Sequence, residues 1–218
     1  MTTRRSLLRK IGLTGIGTAT GIALLPTPPH STTLHGTVEG AEPSAAAADW
    51  IGTEITTEDE APVGRHHYAP TRDGFVPTAP FNVVLIPAAD GEAGLERVMT
   101  VLDEEGWVRN PVEYTRFAWD RTTDSYVRQQ TTAAQTYWGA SGRRHVRCWS
   151  FEDVVSMQAH EDTGARPKHG IASYRRGRET VEAIFDAAGW RVSPGAIDMT
   201  NESGPDHDGR ATLIVEDP

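Results

Sequence analysis

Two strand-like stretches joined by an acidic pair constrain the fold more strongly than any other feature of the chain. Residues 145–151 and 154–161 each have the length and the content of β-branched and aromatic residues that strands favour, and only Glu152-Asp153 separates them. Strands joined by a two-residue turn pair with each other antiparallel. The sequence therefore predicts a β-hairpin, around which we expect the rest of the domain to be built.

Polar side chains alternate with apolar ones along this hairpin. Side chains at positions i and i+2 of a strand point to the same face, so His145 and Arg147 share a face of the first strand. His160 and Asp162 share a face of the second strand in the same way. If the hairpin register opposes these two sets, they form one polar patch across neighbouring strands. His169 follows a Gly-Ala-Arg-Pro turn, which allows it to fold back onto the patch.

This patch contains the residue types of a metal site. Two histidines and a carboxylate are the smallest set that makes an open zinc, manganese or iron site. The candidate metal ligands are His145, His160, Asp162 and His169, and the candidate catalytic residues are His145 and Arg147. Their spacing lacks a His-Glu-x-x-His motif and paired cysteines, so it matches no known metal signature. From the sequence alone we favour a cross-strand polar network on a solvated sheet face, with a divalent metal cofactor as the alternative.

The charge of the chain limits its partners and suggests its source. The formal net charge is −9, with thirty acidic residues, and Lys10 and Lys168 are the only lysines among the twenty-one basic residues. Concentrated salt screens the repulsion within such a surface. We therefore predict a halophilic, haloarchaeal source, with an arginine-rich genome of high GC content as the alternative. The negative charge argues against nucleic acid as a partner, and one cysteine cannot form an internal disulfide.

The amino terminus has the pattern of an export signal. Arg4 and Arg5 form a twin-arginine pair followed by leucines, and residues 11–25 are a modest apolar run diluted by glycine. This pattern resembles a twin-arginine translocation signal, whose route carries proteins that are already folded. The alanines at 45–48 offer a cleavage site. We therefore expect the twin-arginine translocase as a partner during export, and an extracellular or cell-surface location.

The rest of the chain predicts an α+β fold. Residues 81–86 form an apolar run typical of a buried strand, a helix over 94–105 presents one apolar face, and 211–215 forms a last strand. A second helix follows the hairpin, whereas 124–140 has a mixed character that predicts partial helix. Together these elements predict about six strands in a largely antiparallel sheet, with two helices packed on one face.

Two segments share a pattern that suggests internal duplication. Residues 96–107 and 179–190 align at an apolar helix face and at an aspartate, and both end in Gly-Trp. A helix-glycine-strand plan that occurs twice predicts an internal pseudo-repeat. Glycine is also the favoured residue just past any helix end, so convergent helix-stop signals are an equally good interpretation.

The chain divides into three parts. We assign 1–48 to the signal and a disordered linker, 49–80 to an irregular amino-terminal segment with at most an edge strand, and 81–218 to the α+β domain. The histidine pair at 66–67 could form a metal-binding arm, but neighbours in extended chain point to opposite sides, so we favour two surface histidines. Asn201 begins an Asn-x-Ser triplet on a loop that is expected to be exposed, which makes it a candidate N-glycosylation acceptor in an exported chain.

Short motifs over most of residues 81–216 resemble the LssY carboxy-terminal domain. They are Pro-Phe-Asn-Val-Val-Leu at 80–85, Gly-Trp at 106–107, Arg-His-Val-Arg-Cys-Trp at 144–149, Ala-His-Glu-Asp at 159–162, His-Gly-Ile at 169–171 and Arg-Glu at 178–179. In that family the domain is often appended to membrane proteins, including phosphatase-like ones, and it brings no established activity. The resemblance implies a cell-surface or membrane protein partner. We expect no membrane-embedded domain in this chain, which puts an accessory role to a fused phosphatase in doubt.

These observations predict an exported soluble protein that acts as a binding or accessory domain at or outside the cell surface. The alternative is a metal-dependent hydrolase for an anionic substrate such as a phosphorylated one, in which Arg147 binds the anionic group. Convergence of the four candidate ligands would favour a site on the hairpin. If the candidate ligands were scattered over different faces of the sheet, a site on the hairpin would be excluded.

Overall fold

A long antiparallel hairpin in the middle of a mixed sheet organises the fold. The computed structural model describes residues 50–56, 63–111, 114–136, 142–164 and 170–217. Within these ranges the strands are β1 (His66–Thr71), β2 (Gly74–Pro80), β3 (Val83–Ile86), β4 (Val108–Arg109), β5 (Phe117–Asp120), β6 (Ser125–Arg128), β7 (Thr131–Ala134), β8 (Arg144–Phe151), β9 (Val154–Asp162), β10 (Ile171–Ser173), β11 (Arg191–Asp198) and β12 (Arg210–Val215). The helices there are α1 (Gly91–Glu104) and α2 (Tyr174–Ala187). Neither helix is long and apolar enough to cross a membrane.

The strands form two sheets. The larger sheet has the order β11-β12-β3-β9-β8-β7-β4, with β10 paired to β9, and the smaller one has the order β2-β1-β5-β6. Only the β12–β3 pair is parallel among the described strands, and every other neighbouring pair is antiparallel. The prediction of an α+β fold with a largely antiparallel sheet is therefore confirmed, with strands more prominent than expected.

The predicted hairpin is the most extensive strand pair in the larger sheet. Phe151 at the end of β8 pairs with Val154 at the start of β9, which leaves Glu152 and Asp153 as the turn. Glu152 has a φ of +49°, the left-handed conformation that two-residue hairpin turns require at their first central position. The register continues without a break to the far end of β8. The turn therefore fixes which side chains of the two strands face each other.

Both helices pack on one face of the larger sheet, as predicted. The apolar face of α1 and three residues of α2 form one buried cluster with side chains of the sheet, among them Val98, Leu102, Phe185, Val146, Cys148, Met157 and Ala159. Full burial of one such aliphatic or aromatic side chain stabilises the fold by about 1.5–3 kcal/mol. Cys148 is a core thiol, and burial raises its pKa to about 12. The alternation of β8 thus directs Val146 and Cys148 towards the helices and leaves the polar set on the other face.

The opposite face of the larger sheet carries a second apolar cluster. Trp149, Phe151 and Val154 pack there with Ala118 of β5, and Val127 of β6 lies against the same cluster. The smaller sheet therefore covers the face of the hairpin that the helices do not.

Two of the predictions on local structure are wrong. Residues 49–80 were expected to be irregular, but they contain β1 and β2, and 124–140 was expected to be partly helical, but its described part contains β6 and β7. The reason is that β1 and β2 are interrupted by three prolines between them, while β7 consists of two threonines and two alanines that are all buried. None of these strands has the long apolar or alternating run that identifies a strand in a sequence.

The two helix-glycine-tryptophan segments end with the same geometry. Gly106 and Gly189 have φ angles of +79° and +86°, and the backbone N–H groups of Trp107 and Trp190 donate to carbonyl oxygens five residues back, at 3.0 and 2.9 Å. This is the hydrogen bonding of a glycine-terminated helix. The strands that follow differ, since β4 and β11 lie at opposite edges of the larger sheet. The internal pseudo-repeat stays a prediction.

Helix α2 approaches the backbone of β9 closely because it has a glycine at the contact. A Cβ atom on Gly177 would lie 2.3 Å from the Cα of His160 and 2.4 Å from its backbone nitrogen. Backbone atoms in the middle of a sheet cannot move away from such a contact as the end of a flexible side chain can. Gly177 therefore fixes the position of α2 on the strand that carries His160.

We expect Gly177→Ala to destabilise the protein. Overpacking costs about 1–3 kcal/mol or more, and it outweighs the roughly 1 kcal/mol that alanine gains over glycine in a helix. A net loss of about 2 kcal/mol would lower the melting temperature by roughly 4–8 °C. Gly170→Ala is the matched control, because a Cβ there meets only the side chain of Thr163, at 3.8 Å. Equal melting temperatures for the two variants would contradict this account of the contact.

Candidate metal centre

The hairpin register brings the predicted polar residues together on the face opposite the helices. His145 lies directly opposite His160, and Arg147 lies opposite Gln158. Asp162 follows two positions after His160 and therefore points to the same face. Two of the predicted histidines and the predicted aspartate are thus neighbours in space, although their first and last members are seventeen positions apart in the chain.

Three ligand atoms of this cluster lie close to one another. His145 Nδ1 is 3.4 Å from His160 Nε2, and His160 Nε2 is 2.9 Å from Asp162 Oδ1. One ligand atom from each residue lies within 4.8 Å of the other two, which makes the three residues a candidate metal-binding group. The residues are 0%, 4% and 2% exposed. The cluster is therefore buried between elements of the fold. The favoured interpretation of the sequence, a polar network on a solvated sheet face, is wrong in this respect.

The protons available to this cluster do not satisfy both contacts of His160 Nε2. A ring nitrogen carries either one proton or one lone pair. If Nε2 carries a proton and donates it to Asp162, it cannot also serve as an acceptor for His145. If Nε2 has a lone pair that accepts from His145, it has no proton to donate to the carboxylate. Only one of the 3.4 Å and 2.9 Å contacts is therefore a full hydrogen bond in any one state, because a proton on Nε2 that is shared between both neighbours serves each of them only in part.

Two further residues hold this cluster in place. Arg143 Nε donates to Asp162 Oδ2 at 2.6 Å, and both side chains are buried. Gln158 contacts the other ring nitrogen of His160, with Nε2 at 2.8 Å and Oε1 at 3.2 Å from Nδ1. Burial of the Asp162 carboxyl opposes its ionisation, but His160 and Arg143 outweigh that effect and lower its pKa below the ordinary value. Asp162 is therefore an anion with one oxygen directed to Arg143 and one to His160.

Arg147 shares the face, and two of its hydrogen bonds join it to other parts of the fold. Its Nη1 atom donates to the backbone oxygen of Tyr114 at 2.8 Å and to Gln129 Oε1 at 2.9 Å, and the residue is 5% exposed. These contacts attach the connections before β5 and between β6 and β7 to the larger sheet. The predicted binding of an anionic group by Arg147 stays a prediction.

Three of the predicted functional residues lie outside the described part of the chain. His169, the fourth candidate ligand, lies in the segment 165–169, and Arg4 and Arg5 of the export signal lie in 1–49. Their roles stay predictions.

The prediction of surface histidines at 66–67 is wrong for the second of the pair. His67 is 3% exposed and stacks on Trp149, with ring centroids 5.5 Å apart and planes 18° apart. Its Nδ1 lies 2.8 Å from Thr78 Oγ1. Burial, followed by the positive charges of Arg147 and Arg116, lowers the pKa of His67 well below its ordinary value. A neutral imidazole thus forms part of the contact between the two sheets.

The expected glycosylation site is not accessible. Asn201 is 3% exposed, its Nδ2 donates to the backbone oxygens of Arg65 and Phe81 at 2.7 and 3.1 Å, and its Oδ1 accepts from His207 Nε2 at 2.8 Å. All of its amide groups are used inside the fold. The expectation of an exposed acceptor is therefore wrong for the folded chain. The Asn-x-Ser triplet depends on residue types alone and does not indicate whether the asparagine is buried.

Comparison with known proteins identifies no relative of this chain. No family model matches the chain, and no curated protein or solved structure is significantly similar to it. The resemblance to the LssY carboxy-terminal domain stays a prediction. The function must therefore be inferred from the residues of the site.

We expect the buried His207 to make the protein less stable in mild acid. Burial, followed by the charge of Arg178, lowers its pKa to about 4, whereas an unfolded histidine has a pKa of about 6.5. Between these two values the unfolded state binds more protons, so the free energy of unfolding falls as the pH is lowered through this window, by roughly 3 kcal/mol at most. Denaturant unfolding at pH 7, 5.5 and 4.5 measures the slope. His207→Gln keeps the donor to Asn201 without titrating and should reduce the slope, and an unchanged slope would contradict the assignment.

Proposed function

We propose that the chain is an exported binding domain that takes up one divalent transition-metal ion at His145, His160 and Asp162. The observation that carries this proposal is the convergence of ligand atoms from two buried histidines and a buried carboxylate, which lie within 4.8 Å of one another. A cation placed between them accepts the lone pairs of all three at once. In that arrangement His145 binds through Nδ1, His160 through Nε2 and Asp162 through Oδ1.

The distances support a small ion with tetrahedral preferences. Ligand atoms at the usual 2.0–2.1 Å from a tetrahedral zinc ion lie about 3.3 Å from each other. The His145–His160 distance of 3.4 Å is already at that value, and the His160–Asp162 distance of 2.9 Å has to open by a few tenths of an ångström. Two imidazoles and one carboxylate suit zinc and its transition-metal neighbours, whereas calcium and magnesium prefer oxygen ligands.

Burial favours binding over catalysis. The three ligand residues are between 0% and 4% exposed, so a substrate larger than water has little surface to approach. Three protein ligands do leave a coordination position for water, and this keeps a metal-dependent hydrolase of anionic substrates as the second candidate function. The first proposal accounts for both the convergence and the burial, while the second accounts for the convergence only.

The location and partners in this proposal come from the sequence. The twin-arginine pair at Arg4 and Arg5 supports export in the folded state by the twin-arginine translocase, so the ion would be bound before the protein leaves the cytoplasm. The acidic, lysine-poor composition supports a salt-rich surrounding, and the LssY-like motifs support a partner on the cell surface or in the membrane. We infer no nucleic-acid partner, because the net charge is −9.

The metal content of the protein tests the proposal. Protein purified without an affinity tag should take up one zinc or cobalt ion per chain, with the cobalt spectrum of a four-coordinate site. His160→Ala removes the central ligand and should abolish this uptake. His66→Ala is the matched control, since this histidine of β1 lies outside the cluster and should leave the stoichiometry unchanged. Uptake that is equal in the two variants, or no uptake by the original chain, would refute the proposal.

The second candidate function has its own test. We expect the zinc- or manganese-loaded protein to show no hydrolysis of a phosphomonoester above that of the free ion, because the ligands are buried. Turnover that depends on the metal and disappears in His160→Ala would instead establish the hydrolase and replace the binding function. Measurement of phosphate release over a range of metal concentrations distinguishes the two.

A further inference from the structure

Gln158 has an unusual relation to the central imidazole of the cluster. It lies two positions before His160 on β9 and is 1% exposed. Both ends of its amide reach the same ring atom, with Nε2 at 2.8 Å and Oε1 at 3.2 Å from His160 Nδ1. The nitrogen of the amide is a donor and the oxygen is an acceptor. Gln158 can therefore form a hydrogen bond with this ring nitrogen whether or not the nitrogen carries a proton.

The metal-free and metal-bound states need opposite tautomers of His160. Without metal, the proton on Nε2 is donated to the Asp162 carboxylate at 2.9 Å, so Nδ1 has a lone pair and accepts from the Gln158 amide nitrogen. With metal, Nε2 must offer its lone pair to the ion, so the single proton lies on Nδ1. Gln158 then has to present its oxygen as the acceptor. The ring is neutral in both states, and no proton is gained or lost overall.

We propose that Gln158 is the positioning residue of this centre and that rotation of its amide keeps His160 Nδ1 hydrogen-bonded in both the empty and the filled site. This inference rests on the proposed metal-binding function. A ligating histidine almost always donates its second ring N–H to an acceptor that fixes the ring and raises its basicity. The amide oxygen of Gln158 takes the place of that acceptor here. In the empty site its amide nitrogen can donate to the same ring nitrogen.

The choice of a neutral amide indicates that the ion is bound reversibly. A carboxylate at position 158 would hold the proton on Nδ1 permanently and would add negative charge beside the ion, and both effects tighten binding. Arg143 works in the same direction as the amide, because its guanidinium neutralises the Asp162 carboxylate that the ion requires. The site is thus built for an ion that is loaded and released, such as a carried or sensed metal, and not for one that is held permanently.

Two variants of Gln158 test this inference together with the original chain. Gln158→Met has nearly the same shape but no hydrogen-bonding group, and it should weaken cobalt and zinc binding by about 10- to 100-fold. Gln158→Glu should tighten binding by at least tenfold. Gln130→Met is the matched control, because Gln130 is exposed and donates a hydrogen bond to the backbone oxygen of Ser150. The affinity of this variant for cobalt and zinc should equal that of the original chain.

Nitrogen NMR of the His160 ring gives a readout that a merely structural role would not move. In the original chain the proton should lie on Nε2 without metal and on Nδ1 with zinc, whereas in Gln158→Glu it should lie on Nδ1 in both states. If Gln158→Met fails to fold, the original chain and the glutamate variant still decide the question. An unchanged tautomer on zinc addition, or equal affinities in all variants, overturns the role of Gln158. Absence of zinc uptake by the original chain overturns the proposed function itself.

Discussion

The register between β8 and β9 is the constraint on which the rest of the structure depends. Since the two strands pair along their full length from a two-residue turn, each side chain has a fixed neighbour and a fixed face. Val146 and Cys148 point into the helical layer, and the imidazoles of His145 and His160 point away from it. A shift of one strand by one residue would exchange the two faces of that strand, so that its imidazole would replace an apolar side chain beneath the helices and the two imidazoles would lie on opposite faces. The turn, the helical core and the polar cluster are therefore consequences of one alignment.

This alignment buries polar groups on a scale that requires compensation. The smaller sheet covers the second face of the hairpin, so the residues of the polar row are enclosed as fully as those of the apolar cores. A buried charge costs several kcal/mol unless it is paired and hydrogen-bonded, and the Arg143–Asp162 pair supplies that partner. The two imidazoles have no such simple solution, because one ring nitrogen faces both a second ring nitrogen and a carboxylate. In the proposed filled state a cation accepts the lone pairs of both imidazoles and the carboxylate, and in the empty state His160 Nε2 donates to the carboxylate while Gln158 donates to Nδ1 of the same ring.

The sequence predicts the elements whose apolar residues recur at a regular spacing. It does not predict the elements that depend on contacts between distant parts of the chain. Alternation in the hairpin and the 3.6-residue spacing of α1 are properties of a single segment, so the strand faces, the helix face and the convergence of His145, His160 and Asp162 were predictable. The smaller sheet was not, because β1 and β2 contain prolines and β5 and β6 have only four residues each, so that each strand is recognisable only beside its neighbour. The burial of His67 and Asn201 follows from packing by residues from other parts of the chain. Arg143 lies just before β8, and no rule of strand alternation predicts that it pairs with Asp162.

The surroundings of His160 connect the packing to the proposed binding. Gly177 brings α2 against the backbone of β9 at this residue, Gln158 holds the ring from the same strand, and the three candidate ligand residues are buried. Helix α2 therefore fixes the backbone of His160 on one face of the sheet, and Gln158 orients the His160 ring on the opposite face. A site fixed in this way changes state by moving a proton and one amide, without movement of a strand or helix. That is the behaviour expected of a binding site whose occupancy leaves the fold intact, which agrees with the proposed export of the chain after it has folded.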